Sequence, residues 1–459
     1  DALGDGHNIV QTDGRMTLDV VSSDGSAYGI RGNSDGSAYY IPGVGSVLYK
    51  FEAGNTTQVK DLDVTVSGNS SNGAAKIVGI DAREGDVRNK INSEGAPDGN
   101  TVDINVTGSL NNAYVLEGTE TEQQARWNDH AGYVAALNAG AHHTINYGNA
   151  YNLVGDALTT ASVNLKAENT GEHGDTYGLR ASGYTGGYSG GSLYNYAENQ
   201  VAAAGTVKLD VLATNSQYQG DVYGLYAASG SNSGAKNSIS GARVTVNVSN
   251  AGSGNAYGMY VESSSNGITG GDNGVHAVAA SGDASAMLAK SGGNQINASA
   301  ADSTFNLSAH SALGDAYGMN GAHGSNGIKS GSGLFDLNIK ATADSGDAYS
   351  VYSNMGSNVI DALEGRLNLT VEAGGAGSGD RYSLYAYGGS VTIQGGGEED
   401  VSWLKGELAG VNGGEISIDT GGGDDQVTVN GSILTSFAPD GSDAGTVRIS
   451  LGGGDDLLT

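Results

Sequence analysis

Cysteine is absent from the 459 residues, and proline occurs only 3 times. Without cysteine there is no disulfide framework, no thiolate metal site and no thiol nucleophile. So little proline, with no strict glycine period, excludes a collagen-like chain. Basic residues are also scarce: 21 Lys and Arg stand against 50 Asp and Glu, a formal net charge of -29. Nucleic acid and anionic lipid both select basic surfaces, so neither is an expected partner. Divalent cations are the natural counter-charge for so many carboxylates. No apolar run approaches the roughly 18 residues that span a membrane. The longest stretches, around Tyr133–Ala141 and Val201–Val207, are short and interrupted, so no membrane insertion of this segment is expected. The hydrophobic share of 38% is below the roughly 45–50% of an ordinary globular chain, which argues for a long, thin core.

Glycine, 78 residues, and tyrosine, 24, are abundant, and they recur in one phrase. Gly174-Asp175-Thr176-Tyr177-Gly178-Leu179 returns as Gly220-Asp221-Val222-Tyr223-Gly224-Leu225, as Gly254-Asn255-Ala256-Tyr257-Gly258-Met259 and as Gly314-Asp315-Ala316-Tyr317-Gly318-Met319. Looser copies carry Asp347-Ala348-Tyr349 and Asp380-Arg381-Tyr382, and Asp283-Ala284-Ser285 keeps the frame with Ser in the Tyr slot. From Tyr223 the slot advances by 34, 28, 32, 32 and 33 residues, while copies at Tyr28, Val78, Tyr114 and Tyr151 are less regular. About a dozen residues upstream of each phrase lies an alternating run such as Val207-Lys208-Leu209-Asp210-Val211 or Leu367-Asn368-Leu369-Thr370-Val371. Period 2 with β-branched residues reads as a strand with one buried face. A weaker third element follows, as at Asn237-Ser238-Ile239, Asn294-Gln295-Ile296 and Asn358-Val359-Ile360.

A unit this small buries nothing alone, but stacked copies share an interior. The expected fold is therefore all-β, a right-handed parallel β-helix (β-solenoid) with coils of about 32 residues. The expected organisation is a repetitive region over residues 1–387, with an irregular excursion at about 117–149, and a C-terminal section over 388–459 with shorter strand–turn units. The last residues stop inside a repeat unit, so the natural chain is expected to continue past Thr459.

The polar slot before the tyrosine, Asp175, Asp221, Asn255, Asp283, Asp315, Asp347 and Asp380, should stack from one repeat to the next. One reading is tight Gly-Asp and Gly-Asn turns bonding nearby backbone; the other is a ladder of divalent cations between like charges. The tyrosines Tyr177, Tyr223, Tyr257, Tyr317, Tyr349 and Tyr382 fall in the apolar register and read as a stacked core column. Tyr226, Tyr260, Tyr352 and Tyr385 fall in the opposite register, facing outward, where they either bind a partner or are simply tolerated in strands. Leu288 and Asn320 interrupt that outward column. The eight histidines are scattered, with only His142 and His143 adjacent, and neither a serine-nucleophile elbow nor a phosphate loop occurs, so the chain is not read as an enzyme.

Two resemblances bear on function. Gly421-Gly422-Gly423-Asp424-Asp425 and Gly452-Gly453-Gly454-Asp455-Asp456 resemble the calcium repeat of the secreted repeats-in-toxin family, with Gly395-Gly396-Gly397-Glu398-Glu399-Asp400 a degenerate version. That resemblance implies Ca²⁺ at Asp424, Asp425, Asp455 and Asp456, although the copies here are not tandem nonapeptides. The Gly/Asn/Ser/Asp-rich paired strands resemble the passenger region of bacterial autotransporters and large repetitive surface adhesins. What this implies is an extracellular surface or secreted protein, held at the bacterial cell surface, that adheres to a host or neighbouring-cell glycan or protein. The alternatives are a self-assembling filament or surface-layer subunit, using copies of itself as partner, and a polysaccharide-active enzyme.

Overall fold

The computed structural model describes residues 2–3, 7–33, 38–41, 45–48, 52–71, 73–83, 86–112, 132–143, 149–185, 195–229, 233–299, 302–363, 365–436 and 444–459. These residues form strands and no helix. Two compact units divide the chain, Asp1–Gly241 and Ala242–Thr459.

In the second unit each repeat contributes three strands. Ser303–Ser311, Ala316–Gly321 and Ser325–Lys329 are followed by Leu334–Ala343, Ala348–Asn354 and Ser357–Asp361, and then by Arg366–Gly374, Arg381–Tyr387 and Ser390–Gln394. Each strand pairs in parallel with its counterpart one repeat on: Phe305 stands opposite Leu337, Ala316 opposite Ala348 and Asn326 opposite Asn358. The alternation in sequence becomes an alternation of faces. Phe335, Leu337, Ile339, Ala341 and Ala343 are fully buried, while Asp336, Asn338, Lys340 and Thr342 lie on the other face. Burying each such Leu, Ile or Phe contributes about 1.5–3 kcal/mol. Phe305 and Phe335 also meet edge to face at 4.9 Å.

The first unit repeats the scheme with wider spacing. Lys76–Arg83, Tyr133–His143, Asp175–Thr185 and Val222–Ser229 pair in succession in one sheet. In the other sheet Asn100–Leu110 pairs with Thr160–Asn169, which pairs with Thr206–Ala213. An antiparallel hairpin joins Ala38–Ile41 to Gly45–Leu48.

These pairings correct the expected fold class. The chain is all-β with parallel sheets, but the right-handed β-helix with coils of about 32 residues is not what the described strands form. In the first unit Ala27 stands opposite Ile77, Lys76 opposite Tyr133, Ala135 opposite Tyr177 and Tyr177 opposite Tyr223, separations of 50, 57, 42 and 46 residues. In the second unit the separation is 28, then 32, 32 and 33, then 25 and at the end 31. The reason is that ladder geometry constrains only the strands. Closing a longer loop costs little more than closing a short one, so connections vary while pairing persists. The expected irregular stretch at 117–149 is also partly regular, because Tyr133–His143 is a strand in the phrase-bearing sheet. Residues 113–131 and 144–148 lie outside the described residues, as do Tyr114 and the side chains of His142 and His143. Tyr151 is not a slot residue: it sits in Ala150–Val154 of the other sheet, and Ala135 occupies the slot between Val78 and Tyr177.

Candidate functional site

Three side-chain columns run from repeat to repeat. The first is the acidic slot, and it clasps backbone. Asp315 Oδ1 accepts the amide of Asp347 at 2.8 Å, Asp347 Oδ1 accepts that of Asp380 at 2.8 Å, and Asp283 Oδ1 accepts that of Asp315 at 2.9 Å. Asn255 Oδ1 does the same for Asp283, and Asp175 Oδ1 for Asp221. The second carboxylate oxygen takes the phenol of its own repeat: Tyr177 to Asp175 at 2.9 Å, Tyr223 to Asp221 at 3.1 Å, Tyr317 to Asp315 at 3.1 Å and Tyr349 to Asp347 at 3.2 Å. A carboxylate bonded on both oxygens is a structural turn residue, and this explains the Gly-Asp-x-Tyr phrase. The leading glycine is required by close approach: a Cβ on Gly346 would lie 2.4 Å from Gly314 O and 2.6 Å from Asp315 Oδ1.

The second column is tyrosine, and here the register differs from the sequence reading. Tyr349 and Tyr352 are both half-buried and their rings meet at 4.9 Å, so they share one face. Tyr223 and Tyr226 meet at 5.1 Å, Tyr257 and Tyr260 at 5.2 Å, and Tyr382 and Tyr385 at 4.8 Å. The cause is an extra residue in each strand. The ladder passes from Tyr317 opposite Tyr349 directly to Met319 opposite Val351, and two consecutive residues turn inward, Ser350 with Val351. Residues three apart then point the same way. Gly fits the skipped position because a Cβ on Gly318 would lie 2.5 Å from Ile339 Cγ2. The result is a double aromatic column. Tyr317 stacks on Tyr349 at 5.3 Å, Tyr349 on Tyr382 at 5.4 Å and Tyr352 on Tyr385 at 5.4 Å. Ser285, Leu288 and Asn320 interrupt it. Burial, and after it the adjacent carboxylates and phenols, raises the phenol pKa at Tyr177, Tyr317, Tyr349, Tyr352 and Tyr385, and to about 12 at Tyr382.

The third column escaped the sequence reading. Buried asparagines at the start of the third strand bond one another in series. Asn266 Nδ2 donates to Asn294 Oδ1 at 3.0 Å, Asn294 to Asn326 at 2.9 Å and Asn326 to Asn358 at 2.8 Å. The first unit has its own series through Asn55, Asn89, Asn152, Asn199 and Asn237, with steps of 2.8–2.9 Å. The remaining amide hydrogen ties the neighbouring sheet, as in Asn294 to Leu288 O at 2.9 Å and Asn358 to Tyr352 O at 2.6 Å. After Asn358 the position becomes Val391 and then Ile416. Asparagine preceding each third-strand Ile was the available signal.

No family model, characterised protein or solved structure matches this chain.

The C-terminal turns hold a fourth, shorter series that runs the other way. Asp456 Oδ1 accepts the amide of Asp425 at 3.1 Å, Asp425 Oδ1 that of Asp400 at 2.8 Å, and Asp400 Oδ1 that of Leu367 at 2.6 Å. Asp400 Oδ2 also accepts from Gly396 at 3.0 Å. Asp424 Oδ1 accepts the amide of Asp455 at 2.9 Å. Gly421, Gly423, Gly452 and Gly454 all have positive φ, from 78° to 149°, which favours glycine there. Asp400 is fully buried, and burial followed by the charge of Asp425 pushes its carboxyl up to about 6. Four of the five aspartates here thus spend an oxygen on backbone, and Asp425 Oδ2 is buried with no hydrogen-bond partner. Among the described residues no three acidic or histidine side chains gather around one point. The first unit carries one more buried ionic cluster: Asp81 sits 3.6 Å from both Arg31 and Arg83 and accepts from Asn138 at 2.7 Å.

Proposed function

We propose that this chain is an extracellular, surface-held bacterial protein of the autotransporter-passenger or repetitive-adhesin kind. It acts without catalysis, by adhesion to a surface glycan or protein or by structural display. The observation that carries this reading is the double tyrosine column on one sheet face of the second unit, whose rings repeat about every 5 Å. Aromatic faces stack on sugar rings and anchor protein contacts, and identical contacts in series reinforce one another. Calcium at Asp424, Asp425, Asp455 and Asp456 belongs to the proposal as a stiffening ion.

The experiment uses fluorescent beads coated with the chain on lawns of epithelial and bacterial cells, with and without chelator. Replacing Tyr260, Tyr352 and Tyr385 with Thr leaves the Asp-bonded tyrosines in place and suits a strand. The expected result is at least a fivefold loss of retained beads with an unchanged circular dichroism spectrum. Equal retention overturns the reading, and retention and melting temperature both indifferent to chelator remove the calcium.

Self-assembly is the second reading. It is favoured by the outward rings of Tyr352 and Tyr385, which stack 5.4 Å apart and offer a regular aromatic row that the same row of a second copy can meet. Sedimentation at rising concentration separates the two readings.

A further inference from the structure

The outward row of the second unit contains one gap. Gly274 stands opposite Asn306, which is followed by Asn338, Thr370 and Trp403 in successive strands. Every later position in that row carries a side chain, and Gly274 carries none. Over it lies a groove of about 330 Å³. One end is closed by Arg243 and Asp272, paired at 3.2 Å and both well exposed. The other end is closed by His276, whose Nδ1 is 2.7 Å from Ser308 Oγ. Its Nε2 leans over the glycine, only 2.9 Å from where a Cβ would sit. Asp272 and His276 are four residues apart on one strand, so the groove runs roughly 13 Å between their backbones. Thr304 and Asn306 line it from the neighbouring strand.

The chemistry of this lining narrows the ligand. The guanidinium and the carboxylate cancel, and burial holds His276 below its ordinary pKa and therefore neutral at pH 7. A net-neutral groove selects neither an anion nor a cation. Its only apolar lining residue, Val244, is fully buried. What remains is a dense alternation of donors and acceptors: guanidinium, carboxylate, hydroxyl, amide and imidazole. An adjacent Arg–Asp pair offers a donor and an acceptor side by side, which matches vicinal hydroxyls.

We propose that the Gly274 groove binds one sugar residue of a neutral glycan. The Arg243–Asp272 pair holds adjacent hydroxyls, and Asn306 with His276 Nε2 reads the opposite edge. The inference is independent of the tyrosine face.

The test is saturation-transfer NMR with the methyl glycosides of glucose, galactose, mannose and N-acetylglucosamine at millimolar concentration, together with amide shifts of the labelled chain. The expected result is transfer to at least one glycoside, a shifted Gly274 amide, and at least a tenfold weaker affinity in Gly274→Thr and in Arg243→Ala. Gly274→Thr fills the gap with a residue the same row already accommodates at Thr370, and Arg243→Ala sits on the exposed rim, so it decides the matter should the first variant misfold. Absence of transfer from all four glycosides overturns the proposal, as does binding that survives both substitutions. The tyrosine-to-threonine variant should bind the glycoside as the parent does, which keeps a failure here distinct from a failure of the adhesive face.

Discussion

Asp400 is a fully buried carboxylate that accepts two backbone amides. The bonds favour its charged form, but burial and the neighbouring Asp425 outweigh them and lift the carboxyl to about 6 from 3.8. The folded state therefore holds this proton more tightly than the unfolded chain. Its contribution to stability is complete below about 3.8 and is lost as pH rises through about 6. Carbon-detected NMR of the Asp400 carboxyl should show a midpoint near 6, with unfolding from pH 7 to pH 5 requiring more denaturant in the parent than in Asp400→Ala, relative to each protein's value at pH 7. A midpoint near 4 would mean that the carboxyl is solvated. The same physics works upward in pH for the tyrosines, where burial and adjacent aspartates oppose ionisation.

At the scale of strands, the asparagine column joins two sheets and successive repeats through one residue type. Asn294 is bonded by Asn266, bonds Asn326 and ties Leu288 O, three contacts in a fully buried position. Asn358 makes two, and its next neighbour in the column is Val391. A buried polar group left without its partner costs about 1–3 kcal/mol. Asn294→Val should therefore destabilise by about 3 kcal/mol and Asn358→Val by about half that, because its new methyls meet an apolar neighbour. Urea denaturation of the two variants measures the order, and equal losses would count against the column as a source of stability. The strands themselves were legible in the sequence because alternation maps directly onto a buried face, as in Phe335-Asp336-Leu337-Asn338-Ile339. The face of Tyr349 was not: it reads as core in sequence but lies half-buried beside Tyr352, because the extra residue at Ser350 is a backbone event that strict period 2 misassigns. The asparagines were visible as the first residues of the weaker third element; only the structure stacks them. The length of the repeat was misread because the regular spacing after Tyr223 does not extend to the longer connections of the first unit.

Across the molecule, both units use the same device: a short polar side chain in one repeat accepts or donates a backbone or side-chain bond from the next, while the apolar faces close behind it. Neither disulfides nor a thick core is needed, which suits a chain without cysteine and with 38% hydrophobic residues. The most direct test is amide hydrogen exchange at Asp221, Asp283, Asp315, Asp347 and Asp380. These residues lie outside the strands, yet each amide donates to the carboxylate or amide oxygen of the preceding repeat. Protection as strong as that of the adjoining strands is predicted, together with its selective loss at Asp347 in Asp315→Ala. Exchange at the rate of open turns, unchanged by that substitution, would contradict the account.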